Sequence, residues 1–483
     1  MGKFTFDNNA MLKVLTIENI KTIHKNALHI LEHTGVHFWS SSVLDILEET
    51  GLTVDRTTNI VRFKPEVVIK AIESAPECFT LYNRFLEPWV NVGGDEVSFD
   101  VGSATIRMLE SDGCTLRPTT SEDLQKIAQV TEFLDNIRLV STALTPHDIP
   151  EFLGDSYRVY SLLKNSTKPF IAGAFSTKGV NLIHEYLSIA AGSSENAKKY
   201  PRILLDVCPT SPLRWCEIGC ANLLDATRLD IPIQTISVPM IGASAPATLA
   251  GCVLLHTVET LSGIALVQTI KPGHPMVYGS APMYFDMKNM TTSLNSVETS
   301  LIGTAVAQMG KYYGMPTHTY AALSDAKLVD TQAGLESAIS GLISQLAGIN
   351  IISGPGLLEF GNIFSLEKLV IDNEICGMAN RYARGIEVNE ETLAADLIDK
   401  IGHEGDYLGT RHTVKWIKKE PYIPSKLIDR RVLGSWQADG SKDTFALAQE
   451  IVSDILKNKP VPKLDPNCEA ALDKAYETAL KQV

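Results

Sequence analysis

The apolar positions near the start of the chain recur with a helical period. In "TIENIKTIHKNALHILEHTGV" they fall on one face, and the run stops at Gly35, a residue that ends helices. Further on, "ECFTLYNRF" reads as a strand. From about residue 97 one unit repeats: a short β-rich run, a loop with Gly, Pro or Ser, then an amphipathic tract. The runs are "VSFDVGSA", "IRLVSTALTP", "PFIAGAFS", "RILLDVCP", "PIQTISVP", "PMVYGSAP", "PTHTYAAL" and "NIISGPG". Helical tracts such as "SEDLQKIAQVTEFL", "GVNLIHEYLSIAAG" and "QAGLESAISGLISQLAG" follow them. Parallel strands need long crossovers, so this alternation predicts a parallel sheet. Eight units in about 300 residues predict an α/β fold closed as a (β/α)8 TIM barrel rather than an open sheet. Pro169, Pro201, Pro232, Pro275 and Pro316 stand at strand entries, where a missing N–H is tolerated. No dinucleotide-binding glycine fingerprint follows the first strand.

This pattern divides the chain into an N-terminal helical and mixed extension (1–95), the barrel carrying the active site (96–390) and a C-terminal extension (391–483). In the last part, "GHEGDYLGTRHTVKWIKKEPYIPSKLIDRRVLGSW" is rich in charge and aromatics without a clean period, and "NKPVPKLDP" joins two terminal helices. It reads as an extension packed on the barrel or on a neighbouring subunit, rather than a catalytic lid. The opening "MGKFTFDNNAMLKVLT" lacks the basic-then-apolar order of a secretory signal. "TLAGCVLLHTVETLSGIALVQTI" is broken by His256 and Glu259 and reads as a buried helix rather than a membrane span.

Composition narrows the classes. The 483 residues are 45% hydrophobic and 20% charged, with a net charge of −13 and scattered Lys and Arg, which sets nucleic acid aside. Eight cysteines in so long a chain form no disulfide framework, and the expected compartment is the reducing cytoplasm. Cys216 and Cys220 in "CEIGC" have helical spacing, but no neighbouring Cys or His completes a metal site, so they read as free thiols. No essential metal is expected.

In such barrels chemistry sits at the C-terminal strand ends. Aromatic residues accumulate at the ends of strands six to eight, and basic ones are few. "SGPGLLEFGN" lies where barrels bind phosphate, but Pro355 removes a donor, Glu359 adds negative charge, and no Lys or Arg stands between Lys327 and Lys368. A tight turn lining an uncharged or cationic pocket fits better. An aromatic, base-poor mouth suits a quaternary ammonium ion, which donates no hydrogen bond and is held by aromatic faces and carboxylates.

Several segments together resemble the trimethylamine methyltransferase family. They are "MVYGSAPMYFDMKN", "AVAQMGKYYGMPTHTYAALSDAKLVDTQAGLE", "LAGINIISGPGLLEFGNIFSLEKLVIDNEICGM" and the C-terminal "RHTVKWIKKEPYIPSKLIDR". The family's marks present here are a Ser-Asp-x-Lys-x-x-Asp-x-Gln-x-Gly-x-Glu block, a Gly-x-Leu-Glu loop and a Glu-Lys-x-Val-x-Asp helix. In "TTSLNSVET", where the family usually has Gly-Ser-Pro-Glu, only Ser296 and Glu298 match. The likeness runs over most of the chain, from "ALHILEHTGV" onward.

The resemblance implies a barrel that moves a methyl group from a methylamine to the cobalt of a separate corrinoid protein. No corrinoid is expected to be bound tightly. The partner supplies it, facing Ser353, Gly354 and Gly356. The family's archetype uses pyrrolysine, and this chain holds only the ordinary twenty residues. A tertiary amine needs activation before its nitrogen can leave, whereas a quaternary ammonium departs as a neutral amine. The expected substrate is therefore glycine betaine, proline betaine, carnitine or a similar compound. Non-catalytic binding of a betaine or corrinoid protein, and action on a phosphorylated metabolite, are the alternatives. Asp325, Lys327 and Glu359 are the candidate catalytic set, with Asp325 and Lys327 equally readable as an ion pair pinning a loop. Tyr278, Tyr284, Phe285, Tyr320 and Phe360 are the cage candidates. Asp100 or Glu359 is placed to face the ammonium, each equally readable as anchoring a loop through backbone N–H groups. His147, Arg214 and His318 are placed to meet a substrate carboxylate, Arg214 first for its bidentate fork.

Overall fold

A computed structural model describes residues 3–4, 11–403 and 405–481, so part of the opening stretch lies outside it. Eight parallel strands close into a ring: β1 (Ser98–Asp100), β2 (Ile137–Ser141), β3 (Phe170–Gly173), β4 (Ile203–Val207), β5 (Ile233–Ser237), β6 (Met276–Ser280), β7 (Thr317–Tyr320) and β8 (Ile351–Ser353). β8 pairs with β1, setting Ser353 opposite Asp100, so the barrel has no free edge. All eight expected strands are present. The prolines at the strand entries donate nothing, yet the carbonyls of Pro169, Pro232, Pro275 and Pro316 accept from Val140, Leu205, Ile233 and Tyr278 at 2.8–3.2 Å.

Alternation along the strands sorts the interior into layers. Leu139, Ile171, Leu204, Val277 and Ile351 form an apolar layer with Leu81, Val90 and Val92. Those last three come from the hairpin of Cys78–Tyr82 and Pro88–Gly93, which plugs the strands' N-terminal end. "ECFTLYNRF" is therefore a strand, as expected, with the task of closing the barrel floor. One step further along the strands the inward positions turn polar.

The helix Ile17–His33 starts at Thr16, whose Oγ1 accepts from the Asn19 N–H at 3.2 Å, and buries Ile20, Ile23, Ala27 and Leu31. Gly35, at φ +75°, ends it by donating to the Ile30 carbonyl. The helix Leu249–Ile270 is long and apolar enough to cross a membrane, but it is mostly buried between the barrel and the helices Ile17–His33 and Pro65–Ser74. Its polar interruptions are used inside the protein. His256 Nε2 bonds the Gly279 carbonyl at 2.8 Å, and Glu259 accepts from Ser211 Oγ at 2.8 Å and the Leu213 N–H at 2.9 Å.

At the other end of the chain, Thr444–Asn458 packs on Ser121–Glu132 and Leu366–Ala383. Pro466–Leu480 lies on Gly154–Asn165, with the Tyr476 ring stacked on Tyr160 at 4.9 Å and Lys164 Nζ 2.8 Å from Asp473. The cysteines of the described chain are free thiols.

Candidate active site

A cavity of ≈ 460 Å³ opens at the C-terminal ends of the strands. Its aromatic walls are Phe175 after β3, Tyr320 at the end of β7 and Phe360 after β8. Asp206 and Cys208 enter from β4, Arg158 from the helix Gly154–Asn165, and Asn222 from the helix Glu217–Arg228. Ile218, Ile236, Met283 and Leu294 complete much of the apolar lining.

Beneath this cavity lies the polar layer of the barrel. Asp100 is 1% exposed, and its Oδ2 accepts from Ser353 Oγ at 3.0 Å. Ser353 Oγ also lies 3.0 Å from His318 Nε2, which leaves Asp100 Oδ1 and His318 Nδ1 without partners. Gln234 Nε2 donates to Asp206 Oδ1 at 2.9 Å, and Ser103 and Tyr320 share a hydrogen bond of 2.9 Å. Burial dominates the electrostatics, because a charged form loses its hydration there. It holds the Asp100 carboxyl well above the usual range, and lifts Asp206 to about 8 despite the Gln234 donor. His318 is pushed down to about 3 by the same desolvation, so its imidazole is neutral. Burial also raises the Tyr320 hydroxyl, with the nearby Asp206 adding to the effect.

Arg158 is the cation of the cavity wall. It is 1% exposed, and its Nη2 lies 3.3 Å from Asp155 Oδ1 and 3.1 Å from the Gly173 carbonyl. Nε and Nη1 reach the Gly154 and Thr142 carbonyls at 3.3 and 3.4 Å, which leaves one Nη1 hydrogen free. Asp155 also accepts from the Phe175 N–H at 2.6 Å, and the Phe175 ring centre lies 4.7 Å from the guanidinium carbon. One carboxylate thus orders both a cation and an aromatic wall.

The glycine-rich loop after β8 is a fixed wall rather than an anion cradle. The Gly354 N–H goes to the Asp100 carbonyl at 3.2 Å, Gly356 to Asp372 Oδ2 at 2.7 Å, and Leu357 back to Gly354 at 3.0 Å. Pro355 has no N–H, so none of the N–H groups from Gly354 to Leu357 is left for a phosphate. Asp372 is paired with Lys368 at 2.6 Å, both buried. Gly356 has φ +92°, and a Cβ there would meet the Phe364 ring at 2.4 Å, so only glycine fits. Glu359 and Phe360 hold φ +46° and +44°, uncommon for residues with a Cβ, and this turn presents the Phe360 ring to the cavity.

Of the residues the sequence singled out, Tyr320 and Phe360 line the cavity and Asp100 lies in the layer below it. The others stand elsewhere. Tyr278 points outward from β6, where its hydroxyl donates to Thr257 Oγ1 at 3.0 Å and its ring packs on His256 and Tyr313. Tyr284 and Phe285 sit on the short strand Met283–Asp286 beside the mouth, and the lining residue of that strand is Met283. His318 is sealed under the cavity by Ser353 and Tyr320. His147 is exposed, beside Thr119 at 3.3 Å. Arg214 is drawn away because Arg214–Trp215 pairs with the N-terminal strand Val36–Phe38, and the Trp39 ring lies 5.9 Å from its guanidinium.

Asp325 accepts from Ser293 Oγ and from the Leu294 N–H, so it pins the 293–295 loop. Lys327 does not pair with that carboxylate. Its Nζ donates to the Asp325 carbonyl at 2.9 Å and sits 5.5 Å from the Phe360 ring. Glu359 lies 3.9 Å from Arg107. Ser353, Gly354 and Gly356 are all buried behind the wall, so none of them faces a partner across the mouth. Sequence reading passed over Asp206 and Arg158. The signal for Asp206 was a lone carboxylate inside the apolar run "RILLDVCP". Arg158 gave none, since an arginine on a helix ordinarily reads as a solvated one.

The model of the family described as trimethylamine methyltransferase (MTTB) matches residues 3–481. The chain is 35% identical over 465 residues to trimethylamine methyltransferase MttB of Methanosarcina thermophila, covering 95% of both chains. It is 33% identical over 461 residues to glycine betaine methyltransferase of Desulfitobacterium hafniense (strain Y51), again covering 95% of both. Among solved structures, monomethylamine methyltransferase (MtmB) of Methanosarcina barkeri shares the fold, with a TM-score of 0.55 at 11% identity, over 99% of this chain and 90% of that one. The chain belongs to the trimethylamine methyltransferase family and is a methyltransferase built on a TIM barrel.

Proposed function

We propose that the enzyme takes a methyl group from a quaternary amine that bears a carboxylate, such as glycine betaine, proline betaine or carnitine. The acceptor is Co(I) of a corrinoid carried by a cognate protein. Relatives named for trimethylamine and for glycine betaine match almost equally well, so identity does not choose the substrate. The reading rests instead on the chemistry of the cavity. The observation that carries the reading is the combination of aromatic walls (Phe175, Tyr320, Phe360) with acceptor oxygens and, among the described residues, a single guanidinium in one space. Asn222 Oδ1 is buried there without a partner, while its Nδ2 is bound to the Ala174 carbonyl at 2.8 Å. An ammonium without N–H groups is attracted by ring faces and acceptor dipoles, at about 0.5–2 kcal/mol per good aromatic contact. Arg158 takes the part first assigned to Arg214 and offers its free Nη1 hydrogen to the substrate carboxylate.

In the transfer the C–N bond breaks and its electron pair stays on nitrogen, which leaves as a neutral tertiary amine. The new Co–C bond takes its pair from Co(I). No proton is required, so the residues of this chain hold and orient the donor rather than activate it. Free cysteines and the burial of the apolar helix suit a cytoplasmic enzyme.

The test mixes the enzyme, a reduced corrinoid protein and each amine, and follows the cobalt absorption from Co(I) to methyl-Co(III). Glycine betaine or a close relative is expected to give the shift and trimethylamine not. Ready demethylation of trimethylamine, with every quaternary amine inert, overturns the reading.

A further inference from the structure

Asp100 is buried and Asp206 half-buried at the cavity floor, and neither carboxyl has an ion-pair partner among the described residues. Desolvation raises both; the Gln234 donor opposes it at Asp206, and at Asp100 the Ser353 hydroxyl opposes it while the Asp206 charge adds to it. The groups facing Asp206 across the barrel and cavity are Gln234, Asp100, Tyr320 and Cys208. None of these is a cation. Arg158 lines the same cavity but is engaged by Asp155. At the cavity floor an ionised carboxylate gives up part of its hydration and has no free counter-charge, which favours the neutral form. Asp206 differs from Asp100 in one respect: it faces the cavity, whereas Asp100 is sealed beneath.

Building on the quaternary-amine reading, we propose that Asp206 exchanges a proton for the substrate's ammonium. The carboxyl is neutral in the free enzyme, ionises as the quaternary nitrogen enters, and its proton passes to solvent. Charge balances: one fixed positive charge comes in and one proton goes out. A permanently charged ligand has no proton of its own on nitrogen, so any release reports a group on the protein. Asp206 is the member of the pair that lines the cavity and meets the ligand. The raised position of the Asp206 carboxyl, about 8, places the exchange at physiological pH.

The test is calorimetry of wild-type enzyme with glycine betaine and with tetramethylammonium, in buffers of different ionisation enthalpy. About one proton is expected to leave per ligand at pH 7, falling towards zero by about pH 9.5. Affinity is expected to rise about tenfold per pH unit below the carboxyl's titration. Asp206→Asn removes both the release and the pH dependence and weakens tetramethylammonium at least about tenfold; Asp206→Glu keeps the release. Infrared difference spectra of the wild type provide a readout independent of variant folding: the C=O stretch of a protonated carboxyl is lost on binding. Tight binding with no proton released and an unchanged carboxyl band overturns the exchange and leaves the quaternary-amine reading standing. No binding of any quaternary amine overturns both.

Discussion

At the closed end of the barrel Lys168 is 5% exposed, and its ammonium lies 2.6–2.9 Å from the carbonyls of Thr131, Leu134 and Ile137. At the open end Asp100 is 1% exposed with one carboxyl oxygen unbonded. Arg84 and Arg202 repeat the first arrangement: Arg84 Nη2 reaches the carbonyls of Leu163, Lys164 and Ser166, and Arg202 Nη2 that of Ser166. Helices end at this face and leave carbonyls that need donors, which buried cations supply. The free space beside Arg84 and Arg202 is ≈ 20 Å³, against ≈ 460 Å³ at the mouth. At the floor the Lys168 ammonium is satisfied by the protein's own carbonyls and serves stability. Arg84 Nε and Arg202 Nη1 stay without a partner in a space too small for a ligand. At the mouth polar atoms such as Asp100 Oδ1 and Asn222 Oδ1 are left without partners, as the proposed role in binding a ligand requires.

The largest expected effect breaks the floor. Lys168→Met strands three buried carbonyls and should lower stability by about 3 kcal/mol or more in chemical denaturation. Methyl transfer per folded molecule should hold steady. The opposite sign is expected at the mouth. Because the folded-state Asp206 carboxyl sits at about 8, the native state binds more protons than the unfolded chain between about pH 4 and 8. Ligand-free stability therefore falls with rising pH across that window as far as this group contributes. Asp206→Asn should raise the melting temperature, with a margin that widens towards pH 8; a lowered melting temperature would mean the mouth is structural after all. The smallest effects concern affinity alone. Phe360→Ala should weaken betaine binding by about 0.5–2 kcal/mol, roughly 2- to 30-fold, with the main change in KM. Arg214→Ala, away from the cavity under Trp39, should leave KM unchanged.

The barrel was legible because its signals are local. Apolar runs entered by Pro169, Pro232, Pro275 and Pro316 mark buried parallel strands wherever they pair. The mouth was legible only in part. Tyr320 and Phe360 stand at strand ends and were found by position. Tyr278 was misread because side chains alternate: its neighbour Val277 fills the interior, so Tyr278 faces the helix Leu249–Ile270. Arg214 was misread for a longer-range reason. Only the docked N-terminal strand Val36–Phe38 reveals that its fork is covered, and no local pattern near residue 214 encodes that. Asp206 lies inside β4 rather than at its end, and a carboxylate within an apolar run carries no local sign that it faces a cavity.

The glycine pair after β8 sets a limit on how this enzyme can diversify. A Cβ on Gly354 would lie 2.0 Å from the Ala321 carbonyl, and Gly356 is tied from below by Asp372. That side of the vestibule is a cast surface with no slack to accommodate bulkier donors. Room for a longer or branched amine has to be cut from the facing side, where Phe175 and Ile218 are 59% and 38% exposed. Changes of diet among relatives should be written there.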